Sequence, residues 1–199
     1  MTFISKIDPV IDPDPTLDPL SALSIDLYGK AGRANIFRIL LILFVTRGNW
    51  KALVLIRLVQ LFHLRNRPFL LRWASTALRR EFGCFMQPGA EIGPGLRLPH
   101  PNGIVIGSGA RIGARCMLYH QVTLGGARKG DWQANRYPQV GDDVIIYAGA
   151  KLIGALTVGE GAVIGANAVV NRDVPARHRA VGSPARSAPL TSSADASAG

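Results

Sequence analysis

The amino-acid sequence predicts a mainly β protein, a left-handed parallel β-helix of hexapeptide repeats preceded by a short helical segment. The first observation is an apolar residue that returns every six positions. Ile92 and Leu98 start the series; after two extra residues it resumes as Ile106, Ile112, Leu118 and Leu124. Beyond a loop it runs through Val140, Ile146, Leu152, Val158, Ile164 and Val170. The second is a small or apolar side chain four residues after most of these: Ala110, Cys116, Val122, Val144, Ala150, Leu156, Ala162, Ala168 and Val174. A helix repeats every 3.6 residues and a strand every two, and neither holds a six-residue phase over this length. Three hexapeptides make one triangular coil, and each coil buries its apolar residues only against its neighbours, so stability grows by stacking. The third observation is that the apolar pattern ahead of the repeats differs. Runs Ile36 to Val45 and Ala52 to Leu64, interleaved with basic residues and broken near Gly48 and Pro68, read as two or three amphipathic helices.

In chain order, residues 1–29 hold one Lys and five Asp, with Asp-Pro pairs at Asp8, Asp12, Asp14 and Asp18, and read as an extended, disordered acidic leader. Residues 30–83 form the basic helical segment. Of these, residues 30–80 carry eleven Lys or Arg and no acid, although the whole chain has a net charge of +10. Residues 84–186 are the β-helix, and residues 187–199, rich in Ser and Ala, read as a disordered tail. The basic segment has three readings: a helical cap over the open end of the β-helix or a joint between subunits, a peripheral contact with an anionic membrane, or a nucleic-acid surface. The last is the weakest, because no recognition motif or aromatic platform accompanies the charge. Its longest uncharged run is shorter than the about 20 residues that span a bilayer.

The N-terminal sequence lacks a basic start followed by an apolar stretch, so no secretory signal is expected and the cytoplasm is the default compartment. Of two cysteines, Cys116 takes an inward repeat slot and Cys84 the junction with the cap, which suits core thiols rather than a disulfide framework. The histidines lack a neighbouring cluster of Cys or carboxylates at ligand spacing, so no metal is implied.

From Cys84 to Arg186 the chain resembles the β-helical domain of the serine acetyltransferases and related polysaccharide O-acetyltransferases of the hexapeptide-repeat superfamily. The strings that carry the resemblance are PGAEIGPGLRLPH, GIVIGSGARIG, QVTLGG, PQVGDDVIIYAGAKLIG, TVGEGAVIGANAVV and VGSPAR. It implies a homotrimer with acetyl-CoA bound in clefts between subunits, and a hydroxyl acceptor. Moving an acetyl group from a thioester to an alcohol needs a general base at the hydroxyl and donors for the oxyanion, and histidine suits the base role. The resemblance assigns His100 as that base. Register adds His120: both stand two residues after a repeat position, Leu98 and Leu118, so they should stack on one corner, one coil apart at about 4.8 Å. That makes His120 a candidate acceptor ligand, against a role in packing or in holding a loop carbonyl.

The resemblance also places Gly125 and Gly126 near the thioester, and Ala148 and Ala166 along the pantetheine arm. The long loop from Ala127 to Gln139, with Arg128, Lys129, Arg136 and Tyr137, reads as a lid over acceptor or nucleotide phosphates, with Lys129 on the cofactor and Arg136 and Tyr137 on the acceptor. The expected reaction is direct transfer in a ternary complex, without an acetyl-enzyme. Three departures bear on the acceptor. The aspartate that orients the family's base fifteen residues earlier is Phe85 here, the residue before the base is Pro99 rather than Asp, and a second family histidine is Tyr137. Their loss favours a sugar hydroxyl of a surface polysaccharide or its lipid-linked precursor over L-serine, since a serine site must pair both charges of the zwitterion. Serine O-acetylation is the alternative, and a catalytically inactive β-helix scaffold the third reading.

Overall fold

The computed structural model describes residues 18–30, 32, 35–45 and 48–190. The helices are α1 (Pro19–Tyr28), α2 (Ile36–Val45), α3 (Asn49–Leu64) and α4 (Pro68–Phe82). The strands are β1 (Phe85–Met86), β2 (Glu91–Ile92), β3 (Val105–Ile106), β4 (Arg111–Ile112), β5 (Met117–Leu118), β6 (Thr123–Gly125) and β7 (Gln139–Val140). They continue as β8 (Ile145–Ile146), β9 (Lys151–Ile153), β10 (Thr157–Val158), β11 (Val163–Ile164), β12 (Val169–Val170), β13 (His178–Gly182) and β14 (Ala185–Pro189).

Short strands joined by sharp corners build three parallel faces. Face A is β1-β3-β6-β9-β12, face B is β2-β4-β7-β10, and face C stacks β5, β8, β11 and β13 before β14 closes it as an antiparallel hairpin. Every six-residue repeat position from Ile92 to Val170 is buried, and so are the second-slot residues Ala110, Cys116, Val122, Val144, Ala150, Leu156, Ala162 and Ala168. The repeat extends one position earlier than the sequence suggests, to Met86, which pairs with Ile106. Val174 differs from expectation. It bridges to Val158 as the next inward position, so the final turn of face B takes sixteen residues where Val140 to Val158 takes eighteen. Face C shortens in step, with Ile164 against Ala180.

The corners tolerate little extra volume. A Cβ built on Gly113 would lie 2.3 Å from Asp142 Oδ1 and 2.6 Å from the Gly141 backbone of the next coil. Gly113→Ala must push the two coils apart, and overpacking of this kind costs about 1–3 kcal/mol. The expected result is a lower urea midpoint with unchanged far-UV circular dichroism; an unshifted midpoint would show that the coils can separate freely.

Helices α2 and α3 occupy the two apolar runs, with the breaks at Gly48 and Pro68 as expected and α4 beginning at the second break. Helix α3 is not amphipathic in place, because Ala52 to Val59 and Leu61 are all buried under its neighbours and the first coil. Helix α2 buries Ile39 and exposes Phe37, Leu40, Leu41 and Phe44. Two boundaries are corrected. The leader does not run extended through residue 29: Asp18 caps α1, its side chain accepting from Leu20 N at 2.9 Å with Pro19 at the first helical turn. Residues 1–17, with the other Asp-Pro pairs, lie outside the described residues. The tail does not begin at 187, because β14 continues to Pro189 in the hairpin; residues 191–199 lie outside the described residues.

Asp26 and Arg57 weld the cap to the β-helix. Arg57 Nε donates to Asp26 Oδ2 at 2.7 Å, and both side chains are almost fully buried. Arg57 also donates to the carbonyls of Ile92 and Gly93, each at 2.6 Å, while Asp26 Oδ1 accepts from Gly95 N at 2.8 Å and Leu96 N at 3.0 Å. The first coil has no coil beneath it, so these side chains satisfy backbone groups that the stack itself leaves open.

Candidate active site

The corner between faces C and A is built by register. Leu98 lies over Leu118 through the Arg97–Met117 bridge, Leu118 pairs with Ile146, and Ile146 with Ile164. The residues two positions after Leu118, Ile146 and Ile164, which are His120, Ala148 and Ala166, stack in that order along one edge, and the two extra residues after Leu98 set Asn102 in register with His120 and bulge His100 out beside it. The ladder at this corner is held by Gln121 N donating to the Asn102 carbonyl at 2.7 Å, Gly149 N to His120 O at 2.9 Å and Asn167 N to Ala148 O at 2.8 Å. The imidazoles of His100 and His120 have centroids 6.1 Å apart, with rings at 71°, edge to face. His100 is exposed, with its carbonyl accepting from Asn102 N at 2.8 Å. Among the described residues no carboxylate pairs with its ring. His120 is half-buried, and its Nδ1 is enclosed without a hydrogen-bond partner among the described residues.

One position earlier, Tyr119 and Tyr147 form a second column beside the histidines. Their rings stack at 5.1 Å and 21°, and Tyr119 lies 6.3 Å from His100. Burial pushes the Tyr147 phenol up from its ordinary value, with Tyr119 adding to the effect. This pair was legible but unread: each tyrosine directly follows a repeat position, as each histidine follows by two.

The remaining candidates gather elsewhere. Gly125 ends β6 and Gly126 follows it at the corner between faces A and B, and Lys129, Arg136 and Tyr137 belong to the loop that leaves from it. Five residues of extended chain separate His120 from Gly125, about 17 Å at most. One chain therefore brings His100, His120, Ala148 and Ala166 together, and holds Gly125, Gly126, Lys129, Arg136 and Tyr137 at the opposite edge of face A. There Tyr137 lies flat on the neighbouring corner: a Cβ on Gly107 would meet its Cε1 at 2.3 Å, and one on Gly109 its Cδ2 at 2.6 Å. Lys129 and Arg136 are exposed. The loop is organised by Asp131, a buried residue that sequence reasoning missed, whose Oδ2 accepts from Ala127 N and Arg128 N, both at 2.7 Å. An aspartate that folds its own loop leaves no periodic signal. Gly126 is small because Asp131 Cβ would sit 2.9 Å from a side chain there. A cavity of about 810 Å³ between the cap and face B lies away from this chemistry and is lined in part by Arg57, Gln60, His63 and Arg111.

Neither cysteine is placed as a nucleophile. Cys116 is buried, its Sγ donates to the Gly141 carbonyl at 3.1 Å, and burial pushes its thiol up to about 12. Burial also raises Cys84. Because the unfolded Cys116 ionises near 9.0 and the folded one about 12, the protonated form favours the native state; this contribution is complete below pH 9 and fades as pH rises toward 12. At pH 8, a thiol-specific disulfide reagent should leave Cys116 unmodified until denaturant is added. Labelling of the native thiol within seconds would contradict its burial.

Comparison with known proteins follows the same lines. The family described as bacterial transferase hexapeptide (six repeats) matches residues 137–172. A serine acetyltransferase of Helicobacter pylori is 44% identical over 135 residues, covering 68% of this chain and 78% of that protein. One from Synechococcus elongatus is 38% identical over 137 residues, 69% of this chain and 55% of that protein. Among solved structures, Neisseria gonorrhoeae serine acetyltransferase in complex with serine superposes with a TM-score of 0.67 at 33% identity, over 83% of this chain and 67% of that one. A serine acetyltransferase in complex with CoA gives 0.64 at 29% identity, over 86% and 67%. The repeats and the left-handed β-helix define a hexapeptide-repeat acyltransferase. Within that class, the chain belongs to the serine acetyltransferase family.

Proposed function

We propose that this protein transfers the acetyl group of acetyl-CoA to a hydroxyl, with His100 as general base and L-serine as the acceptor. The observation that carries it is the edge on which His100, 6.1 Å from His120, stands at one end of the file His120, Ala148, Ala166, whose small side chains allow a cofactor arm to lie close. The relatives are named for serine, and neighbour structures from Neisseria gonorrhoeae and soybean hold it. Acetyl-CoA supplies the activated acyl group. His100 takes the acceptor proton as the oxygen attacks the thioester carbon, backbone amides near Gly125 and Gly126 stabilise the oxyanion, and CoA leaves as the thiol. In one chain these two sets lie on opposite edges of face A, so the complete site forms in a homotrimer, where one subunit's histidine edge faces the next one's glycine edge. Transfer is direct and takes place in the cytoplasm, where acetyl-CoA is available.

A sugar hydroxyl is the second reading, favoured by the stacked Tyr119 and Tyr147 beside His100 and by an exposed Phe85 where the family carries aspartate. Acetyl-CoA consumption, measured with L-serine and with sugar nucleotides and oligosaccharides, separates the two. Serine-dependent turnover supports the first reading; turnover with a glycan alone supports the second; acetyl-CoA binding without turnover on any acceptor points to a scaffold.

A further inference from the structure

The turn between α3 and α4 and the outer face of α4 carry a surface that acetyl transfer does not use. Leu64 is 71% exposed, Phe69 88%, Leu70 47% and Trp73 48%. Phe69, Arg72, Trp73, Thr76 and Arg80 line one shallow groove along the helix, opposite the buried Ala74 and Leu78. Arg65, Arg67, Arg72 and Arg80 are exposed, and among the described residues none is in an ion pair. The only acid on the groove, Glu81, is already held by Lys51 at 2.7 Å.

We propose that this face docks the protein on an anionic lipid bilayer. Aromatic and leucine side chains beside unpaired arginines match the two parts of a membrane interface, apolar at acyl depth and anionic at the headgroups. A second copy of the same patch is a poor partner, because a two-fold contact would set arginines against arginines. No helix among the described residues is long and apolar enough to cross a membrane, so the contact is peripheral. Helix α4 has 15 residues, about 22 Å in length, and joins β1 at its C-terminal end, so Phe69 and Trp73 lie on the half of the helix away from β1. Docking does not depend on which acceptor is used.

Flotation of the full-length protein with vesicles of phosphatidylcholine, with and without phosphatidylglycerol, tests this. The expected result is binding to the anionic vesicles only, lost at high salt. Arg65→Gln with Arg67→Gln and Arg72→Gln should lower the apparent partition coefficient about a hundredfold. Phe69→Ser with Trp73→Ser should weaken it with salt dependence retained. Acetyl-CoA consumption and circular dichroism, unchanged in both variants, certify the fold. Equal binding to neutral vesicles, binding that survives the arginine changes, or no binding by the wild type would each overturn the proposal. In the last case, a change in native mass caused by the aromatic variant would assign the face to contacts between copies.

Discussion

His100→Ala should lower kcat/KM for acetyl transfer by about 10²–10⁴-fold, the usual contribution of a positioned general base. The size follows from the chemistry: an alcohol does not attack a thioester usefully until its proton has somewhere to go, and His100 is the exposed imidazole on the corner that also carries Ala148 and Ala166. The fold should not suffer, since the ring is at the surface and the hydrogen bond that Asn102 N donates to the residue's carbonyl at 2.8 Å is kept by alanine. His100→Gln should be as inactive as alanine, because it restores hydrogen bonding but not proton acceptance. His120→Ala should cost less and fall mainly on the acceptor KM, as suits a residue 6.1 Å from the base. Steady-state kinetics on the three variants, with thermal unfolding as a control, checks all of this. Activity of His100→Ala within tenfold of wild type would remove this residue from the chemistry, and an acetyl group trapped on Cys84 or Cys116 would replace direct transfer by a covalent route.

The repeats were readable because a β-helix ties sequence to space more tightly than most folds: six residues advance the chain by one face, so phase alone predicts burial and stacking. That is why Leu98 and Leu118 disclosed the histidine pair, and why the same arithmetic could have disclosed Tyr119 and Tyr147. It could also have shown that Gly125, one residue past Leu124, and Ala148, two past Ile146, belong to different corners. The resemblance grouped them by role, whereas register separates them within one chain. What phase could not supply lies where the chain stops repeating. Asp18-Pro19 reads as another extended Asp-Pro pair, yet it is a helix cap followed by proline in the first turn. The loss of two residues after Val170 also breaks the count that placed Val174 in a second slot. Asp131 and Asp26 are single polar residues whose partners are set by tertiary contact, and composition assigned Asp26 to a solvated leader.

Asp26→Ala should be the most damaging single change away from the active site. It strips the carboxylate from a guanidinium that is 1% exposed, and leaves Gly95 N and Leu96 N without their acceptor at the open end of the stack. Removing one partner of a buried ion pair costs about 3–5 kcal/mol, chiefly because the surviving charge stays desolvated. For a chain of 199 residues, this corresponds to a fall of about 6–20 °C in Tm at fixed protein concentration. Arg57→Met with Asp26→Leu gives the discriminating comparison. The double variant buries no charge and should recover part of the loss, but not all, because the carbonyls of Ile92 and Gly93 still lose the donors that reach them at 2.6 Å. If the pair acts only by filling space, the double variant, which keeps the volume, will melt with the wild type. If it welds the cap to the first coil, the single variant will be the least stable of the three, and α1 will become the first segment to exchange its amide hydrogens.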